Sequence, residues 1–307
     1  MKKRAEHSPT FTPTPSGVLV QTGSQSDFHT EASSSYLAIK QRGIELQELF
    51  QENGLQIPAS SYLAKLIDDT TTLSDSWICN DQSRATAFHL FSASQLDRVA
   101  IAALPLGVSS QAKQFLSDLL SGSLDLLSRE RSKAKDTLWE LELWQVLSRM
   151  GMQATLAEPD ITVLFEGKEI GIACKKFYSE NNVAKVLSQA VSQFERDFDF
   201  GIVAINLDDL TPANTILKVN SLEQMSQMIN RVNYTFMENH ERHLRRYLEP
   251  GRAICALIST AVIADVPNTK PCFFNSRQSV VWNIPGLPPE KEVQMSRFIG
   301  AVSAAHA

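Results

Sequence analysis

The apolar positions of this chain follow a helical period first and a strand-like pattern later. Between residues 36 and 130, apolar residues recur about every three to four positions, which is the spacing of an amphipathic helix. Asn53-Gly54 and Pro105 are typical helix stops within this region. The pattern predicts four helices, at residues 37–50, 61–67, 85–104 and 111–127.

From residue 136 onward, helices and strands alternate. Asp136 is expected to cap a helix that Gly151 ends. Residues 201–207 are almost entirely apolar, which is typical of a buried central strand. The predicted order is a helix at 136–150, strands at 152–157, 160–165 and 169–177, a helix at 182–198 and the strand at 201–207. A helix at 221–248, strands at 253–263 and 279–284, and a helix at 289–304 follow.

These patterns predict an α/β protein with three parts. Residues 1–35 are rich in Ser, Thr, Pro and Gln and are expected to be a disordered tail. Residues 36–130 are expected to form a small all-helical module, and residues 131–307 a domain that contains the strands.

Composition and charge narrow the function classes. The chain is 43% apolar and 21% charged, as is typical of a globular protein. Its net charge is −5, and residues 131–210 carry 13 acidic side chains against 9 basic ones, which argues against a general nucleic-acid coat protein. Any nucleic acid would have to be held by a local basic patch, a metal ion or a partner protein.

The sequence also indicates a cellular setting. It contains no apolar run of 18 residues that would span a membrane, and its start lacks the apolar segment of a secretory signal. The four cysteines lie far apart, as expected of reduced thiols, so a cytoplasmic protein is predicted. ATP binding is not expected, because the chain has no Gly-x-x-x-x-Gly-Lys loop.

The hairpin at residues 158–177 carries the most informative chemistry. Two apolar strands are joined at Glu166-Gly167-Lys168; Asp160 opens the first, and Lys175 lies near the end of the second. In an antiparallel pair, these two ends meet, so a carboxylate and an ammonium group are expected side by side. Together they can bind a hydrated metal ion and a phosphate.

Each polar group near the hairpin has an expected role. Magnesium takes one or two carboxylates and keeps several waters, so Asp160 is the principal expected ligand and the Cys174 backbone carbonyl the second. Lys175 would orient the attacking water or neutralise charge on the phosphate. Glu140, on the preceding helix, can face the same end of the sheet.

The stretch from about Asp136 to Leu207 resembles the PD-(D/E)XK nuclease superfamily. The resemblance rests on Trp139-Glu140-Leu141 with Gly151, on Pro159-Asp160, on Ala173-Cys174-Lys175, and on the helix with Gln189 and Gln193. It implies a restriction-endonuclease-like αβββαβ core with a mixed central sheet. It also implies Mg²⁺-dependent endonuclease activity on DNA, with Mn²⁺ able to substitute, in a bacterial defence or restriction-type setting.

Ala173 departs from the family pattern, which has Glu or Asp at that position. One hypothesis is that another carboxylate replaces the missing acid, as in members that carry it on a helix; Glu140 is the first choice, before Glu180 and Glu195. Glu169 lies four residues from Ala173, roughly 13 Å along a strand, and is too distant. The other hypothesis is a degenerate site in a non-catalytic subunit of a defence or repair complex.

Further residues are predicted to contact nucleic acid. Arg242, Arg245 and Arg246 form a basic cluster on one helix that is suited to phosphate contacts, and Lys176 lies beside Lys175. Gln193 would either contact DNA or support the site. Because the chain is acidic overall, target recruitment is expected to involve a partner protein, a homo-oligomer or the helical module. His240 and His243 have helical zinc-ligand spacing, but the nearby sequence offers no further ligand.

Overall fold

The computed structural model describes residues 10–13, 19–22, 35–81, 86–267, 269, 273–284 and 286–304. Two four-residue strands, β1 (Thr10–Pro13) and β2 (Leu19–Thr22), lie within the segment that was predicted to be disordered. They pair with each other, and β2 pairs with residues 280 and 281. The predicted disorder therefore does not hold for these eight residues, and the rest of residues 1–34 lies outside the described part of the chain.

The next region is helical, as the apolar period predicts. Ser35, Ser61 and Ser109 cap three of its helices, because each side chain accepts a backbone N–H of the first turn. The fourth helix was predicted to reach residue 127 but ends at Leu119. The chain then turns at Gly122, where φ is 103°. The helices are α1 (Tyr36–Glu52), α2 (Tyr62–Ile78), α3 (Ala87–Ala103) and α4 (Ser110–Leu119).

The remaining elements follow the predicted order closely. They are α5 (Lys133–Arg149), β3 (Gln153–Ala157), β4 (Asp160–Phe165), β5 (Lys168–Lys176), α6 (Val183–Phe194), β6 (Phe200–Asn206), β7 (Leu217–Lys218), α7 (Leu222–Leu248), β8 (Ala253–Asp265), β9 (Phe273–Asn283) and α8 (Pro289–Ala304). Asp136 is not the cap of α5, which begins after Ser132. It lies in the first turn of that helix and accepts a hydrogen bond from the Tyr178 hydroxyl at 2.9 Å.

The strands form one mixed sheet in the order β1-β2-β9-β8-β6-β5-β4-β3, and β7 pairs with the end of β8. β3, β4 and β5 are an antiparallel meander, whereas β5, β6 and β8 are parallel neighbours. Parallel neighbours need crossover connections, and α6 and α7 lie within the two that link these strands. The protein is thus α/β with a helix-rich N-terminal region, and residues 133–206 have the order αβββαβ.

Apolar side chains cover both faces of the sheet. On one face, a continuous core joins α1–α4 to α5, α8 and the sheet, so packing is unbroken across residue 130. On the other face, α6 and α7 cover a second core. Gly201 allows α6 to approach closely, because a methyl group at this position would overlap the Phe194 ring.

Two further findings complete the fold. β9 begins six residues before the predicted start at residue 279. The polar residues in this first part do not show the apolar pattern of a strand, yet they are buried and hydrogen-bonded; Asn275, for example, donates to the Ser94 carbonyl at 2.8 Å. Among the described helices, none combines the length and apolar character that crossing a membrane requires.

Candidate active site

The site lies where β4 separates from β5. The ladder between these strands ends at the pair Ile161 and Ile172, so Asp160 stands at the opening. The Cys174 backbone N–H lies past this end and donates to Asp160 Oδ2 at 2.7 Å. The Asp160 carboxylate therefore replaces a strand partner for β5.

Lys175 completes a compact group with these atoms. Its Nζ donates to Asp160 Oδ2 at 3.1 Å and to the Cys174 carbonyl at 3.0 Å. The side chains of Lys175 and Asp160 are 19% and 17% exposed, so the group is accessible from solvent. Burial raises the pKa of Asp160, while Lys175 and the Cys174 N–H act in the opposite direction.

Glu140 faces this group from α5. Burial, and then the negative charge of Asp160, raise the pKa of the partly buried Glu140 carboxyl to about 7, while Lys133 and Lys175 lower it. Lys133 lies seven residues before Glu140 on α5, which places both on one face of the helix. Lys133 is not among the residues predicted from the sequence, although this spacing could have indicated it.

The oxygen atoms of this group are of the kind that bind a magnesium ion. Asp160, Glu140 and the Cys174 carbonyl all offer hard oxygen atoms, and Mg²⁺ needs only one or two carboxylates because it keeps several waters. Across the described residues, no three His, Cys, Asp or Glu side chains come together as a metal-binding group. The residue types present suit Mg²⁺, which needs no more than one or two carboxylates.

The Ala173 side chain is buried in the core and is not part of the group formed by Asp160, Lys175 and Glu140. Ala173 follows Ile172, the last residue of β5 that pairs with β4; it is 0% exposed and belongs to the apolar core beneath α6. A carboxylate here would enter an apolar environment, where its charge is disfavoured.

The other proposed replacement acids are engaged elsewhere. Glu180 pairs with His240 at 2.6 Å, and Glu195 accepts the backbone N–H of Arg252 at 3.3 Å. Glu169 lies near the opposite end of β5, paired with Leu164. Of the acids considered for the missing ligand, Glu140 is the one whose pKa the charge of Asp160 raises.

The surroundings of Lys176 contradict its predicted nucleic-acid contact, whereas those of Gln193 agree with its other predicted role, support of the site. The Lys176 side chain is only 4% exposed and pairs with Asp209 at 2.7 Å, so it is not available to a phosphate. Strand alternation gives the reason, because consecutive residues of β5 face opposite sides. Gln193 donates to the Pro159 carbonyl at 3.2 Å and so supports the segment that leads into Asp160.

The three arginines of α7 differ from one another. Arg245 pairs with Glu241 at 3.0 Å and with Glu249 at 2.8 Å. Arg242 and Arg246 are exposed, one helical turn apart, on the same helix. These two side chains are the predicted phosphate contacts that the fold leaves accessible.

A second group of charges was not predicted from the sequence. We call it the sealed cluster; its side chains come from α3, α5, β5, β9 and the segment after β6, and all are almost fully buried. It consists of Arg98, Lys135, Glu142, Lys176, Asp208, Asp209 and Arg277.

Every member of the sealed cluster is paired. Glu142 accepts from Arg98 at 2.9 Å and from Arg277 at 2.8 Å. Burial alone would raise the pKa of Asp208, but Arg277 and Arg98 lower it well below its usual range. The members come from five separate segments of the chain, so no local spacing pointed to the cluster as a whole.

No family model matches this chain, and neither a curated protein nor a solved structure matches it. The chemistry of the site therefore rests on its own geometry and on the residues described above.

Proposed function

We propose that this protein is a Mg²⁺-dependent endonuclease that hydrolyses DNA phosphodiester bonds with a PD-(D/E)XK-like site. The supporting observation is the convergence of the Asp160 carboxylate, the Cys174 carbonyl and the Lys175 ammonium group at the open end of a hairpin. The αβββαβ order of residues 133–206 is consistent with the core that this superfamily uses.

Each residue has a distinct role in this proposal. Asp160, Glu140 and the Cys174 carbonyl would hold Mg²⁺, which when bound lowers the pKa of a water and stabilises the leaving oxygen. Lys175 donates a hydrogen bond to the attacking water or to a phosphate oxygen and offsets the negative charge that develops there. Gln193 holds the Pro159 carbonyl and thereby limits the movement of the adjacent Asp160.

DNA binding would rely on a small number of cations. Arg242 and Arg246 are exposed on α7 and can neutralise backbone phosphates. The net charge of −5 opposes broad electrostatic attraction to DNA. We therefore infer that recruitment involves a partner protein or a second copy, and a bacterial defence setting follows from the resemblance.

One observation favours a second candidate function, a non-catalytic nuclease-like subunit that assembles a complex. Ala173 is packed into an apolar core rather than left as an open position beside Asp160. On this hypothesis, the hairpin is retained for its fold and its binding surface, and the chain does not cut DNA.

Plasmid nicking separates the two functions. Supercoiled DNA is incubated with Mg²⁺ or Mn²⁺ and either the wild type, Asp160→Asn or Lys175→Met. Asp199→Asn is a matched control, because Asp199 is an exposed carboxylate that pairs with Lys168 at 3.8 Å near the opposite end of β5.

The endonuclease proposal expects cutting by the wild type and the control and its loss in both site variants. Cutting that persists in both variants would contradict the site assignment. A wild type that fails to cut, with either metal and with candidate partners present, would favour the assembly function. Ala173→Glu, which restores the family acid, is expected to destabilise the protein, because it places a charge in the apolar core.

A further inference from the structure

The Lys175 ammonium group holds a position that a metal ion would also use. Its Nζ lies 3.1 Å from Asp160 Oδ2 and 3.0 Å from the Cys174 carbonyl oxygen. They belong to the Asp160 carboxylate and the Cys174 carbonyl, two of the three groups that the proposed function assigns to Mg²⁺. In the absence of a metal ion, the lysine is thus the positive charge that both oxygens contact.

The lysine and a divalent ion cannot both bind these oxygens in the same way. A lysine ammonium is a compact charge with three donors, and Mg²⁺ binds oxygen at about 2.0–2.1 Å. Two cations on the same lone pairs would stand close together and repel each other. One must leave before the other binds.

The structure gives Lys175 a route by which to leave. Its side chain is 19% exposed, and it is carried by a flexible four-carbon chain. Asp160 would still accept the Cys174 N–H at 2.7 Å after the lysine had turned away. The carboxylate is therefore held in place independently of Lys175.

We propose that Lys175 is a built-in competitor for the divalent-ion position and that ion binding turns its ammonium group outward, toward the substrate. This inference rests on the proposed function and adds its regulation. The lysine keeps the ion-free site neutralised and becomes available to water or phosphate only when the ion has bound.

Metal affinity tests this inference directly. Mn²⁺ binding is measured by calorimetry and by the electron paramagnetic resonance of free Mn²⁺, on the wild type and on Lys175→Met, which keeps an unbranched side chain of similar length but removes the charge. We expect Lys175→Met to bind Mn²⁺ at least about tenfold more tightly. Asp160→Asn, added to Lys175→Met, should abolish the gain.

Lys168→Met is the matched control. Lys168 begins β5, seven residues from Lys175, or roughly 23 Å along the strand, and its side chain is 43% exposed. Its replacement should leave Mn²⁺ affinity unchanged. Equal or weaker Mn²⁺ binding by folded Lys175→Met, or an equal gain in Lys168→Met, would overturn the inference.

A second measurement uses the wild-type protein and needs no variant to fold. The acylation rate of each lysine is followed by mass spectrometry without Mn²⁺ and at a concentration that saturates the binding isotherm. We expect Lys175 to react several-fold faster with the ion, while Lys168 is unchanged. A Lys175 rate that stays the same or falls at saturation would contradict the outward turn.

These outcomes are independent of DNA cutting. A wild type that binds Mn²⁺ more weakly than Lys175→Met, but does not nick plasmid with either metal and with candidate partners present, would support the competition and count against the endonuclease proposal. A wild type that nicks plasmid while Lys175→Met shows no gain in affinity would do the reverse.

Discussion

The candidate active site and the sealed cluster are built from neighbouring residues and have opposite properties. Lys175 and Lys176 are adjacent on β5, and Glu140 and Glu142 lie two residues apart on α5. Lys175 and Glu140 belong to the solvent-accessible site, whereas Lys176 and Glu142 have side chains that are 4% and 1% exposed.

The difference lies in how completely each charge is paired. In the sealed cluster, Glu142 forms ion pairs with two arginines, Arg98 and Arg277. In the site, burial, and then the negative charge of Asp160, raise the pKa of Glu140 to about 7. A buried and fully paired network fixes one conformation, while perturbed and incompletely paired groups are typical of functional sites.

The largest effect is expected from the site. Asp160→Asn keeps the size of the side chain and an oxygen that can accept the Cys174 N–H, but it removes the charge. On the proposed function, we expect the nicking rate to fall at least about 10³-fold, or roughly 4 kcal/mol. Thermal unfolding should be nearly unchanged, and a large fall in Tm would show that Asp160 is mainly structural.

The next effect belongs to the sealed cluster. Glu142→Gln leaves Arg98 and Arg277 buried without their shared carboxylate, so we expect the free energy of unfolding to fall by about 3 kcal/mol. Glu140→Gln is the matched control on the same helix and should not destabilise the protein at neutral pH. Urea denaturation measures both, and equal losses would remove the distinction between the two clusters.

The sequence predicted the elements that depend on local pattern. The bounds of β4 agree with the prediction, and α8 begins and ends where expected. The placement of Asp160 beside Lys175 follows from the pairing of two strands joined by a tight turn. These features need only neighbouring residues, so a single sequence contains the information.

The sealed cluster needs contacts that a local pattern does not contain. Arg98 and Glu142 are 44 residues apart, and Arg277 and Glu142 are 135 apart. Charged residues in strands and helices are also expected to be exposed, so Arg277 gave no sign of burial. For Lys176, the alternation of β5 did offer a signal, because this residue must face the side opposite to Lys175.

A smaller effect concerns pH. The folded-state pKa of Glu140, about 7, exceeds the usual value of 4.5, so the folded protein binds this proton more tightly than the unfolded chain. Stability from this group is present below pH 4.5 and is lost as the pH rises through about 7. Allowing for solvent screening, we expect a loss of about 2 kcal/mol.

Glu140→Gln tests this pH dependence. Unfolding in EDTA is compared for the wild type and the variant at acidic and at mildly alkaline pH. The variant should gain relative stability as the pH rises and should match the wild type in acid. Parallel curves across the range would mean that the pKa of Glu140 is not raised in the folded protein.

The smallest effect extends the comparison to α7, where one arginine is paired and two are accessible. We expect Arg242→Gln and Arg246→Gln each to weaken duplex DNA binding by about 1 kcal/mol and to reduce the salt slope by about one. Arg245→Gln should have less effect, because Arg245 is already held by Glu241 and Glu249. Fluorescence anisotropy with the Asp160→Asn protein measures this between about 50 and 200 mM salt. Equal losses for all three arginines would show that pairing within α7 does not decide which side chains meet the phosphates.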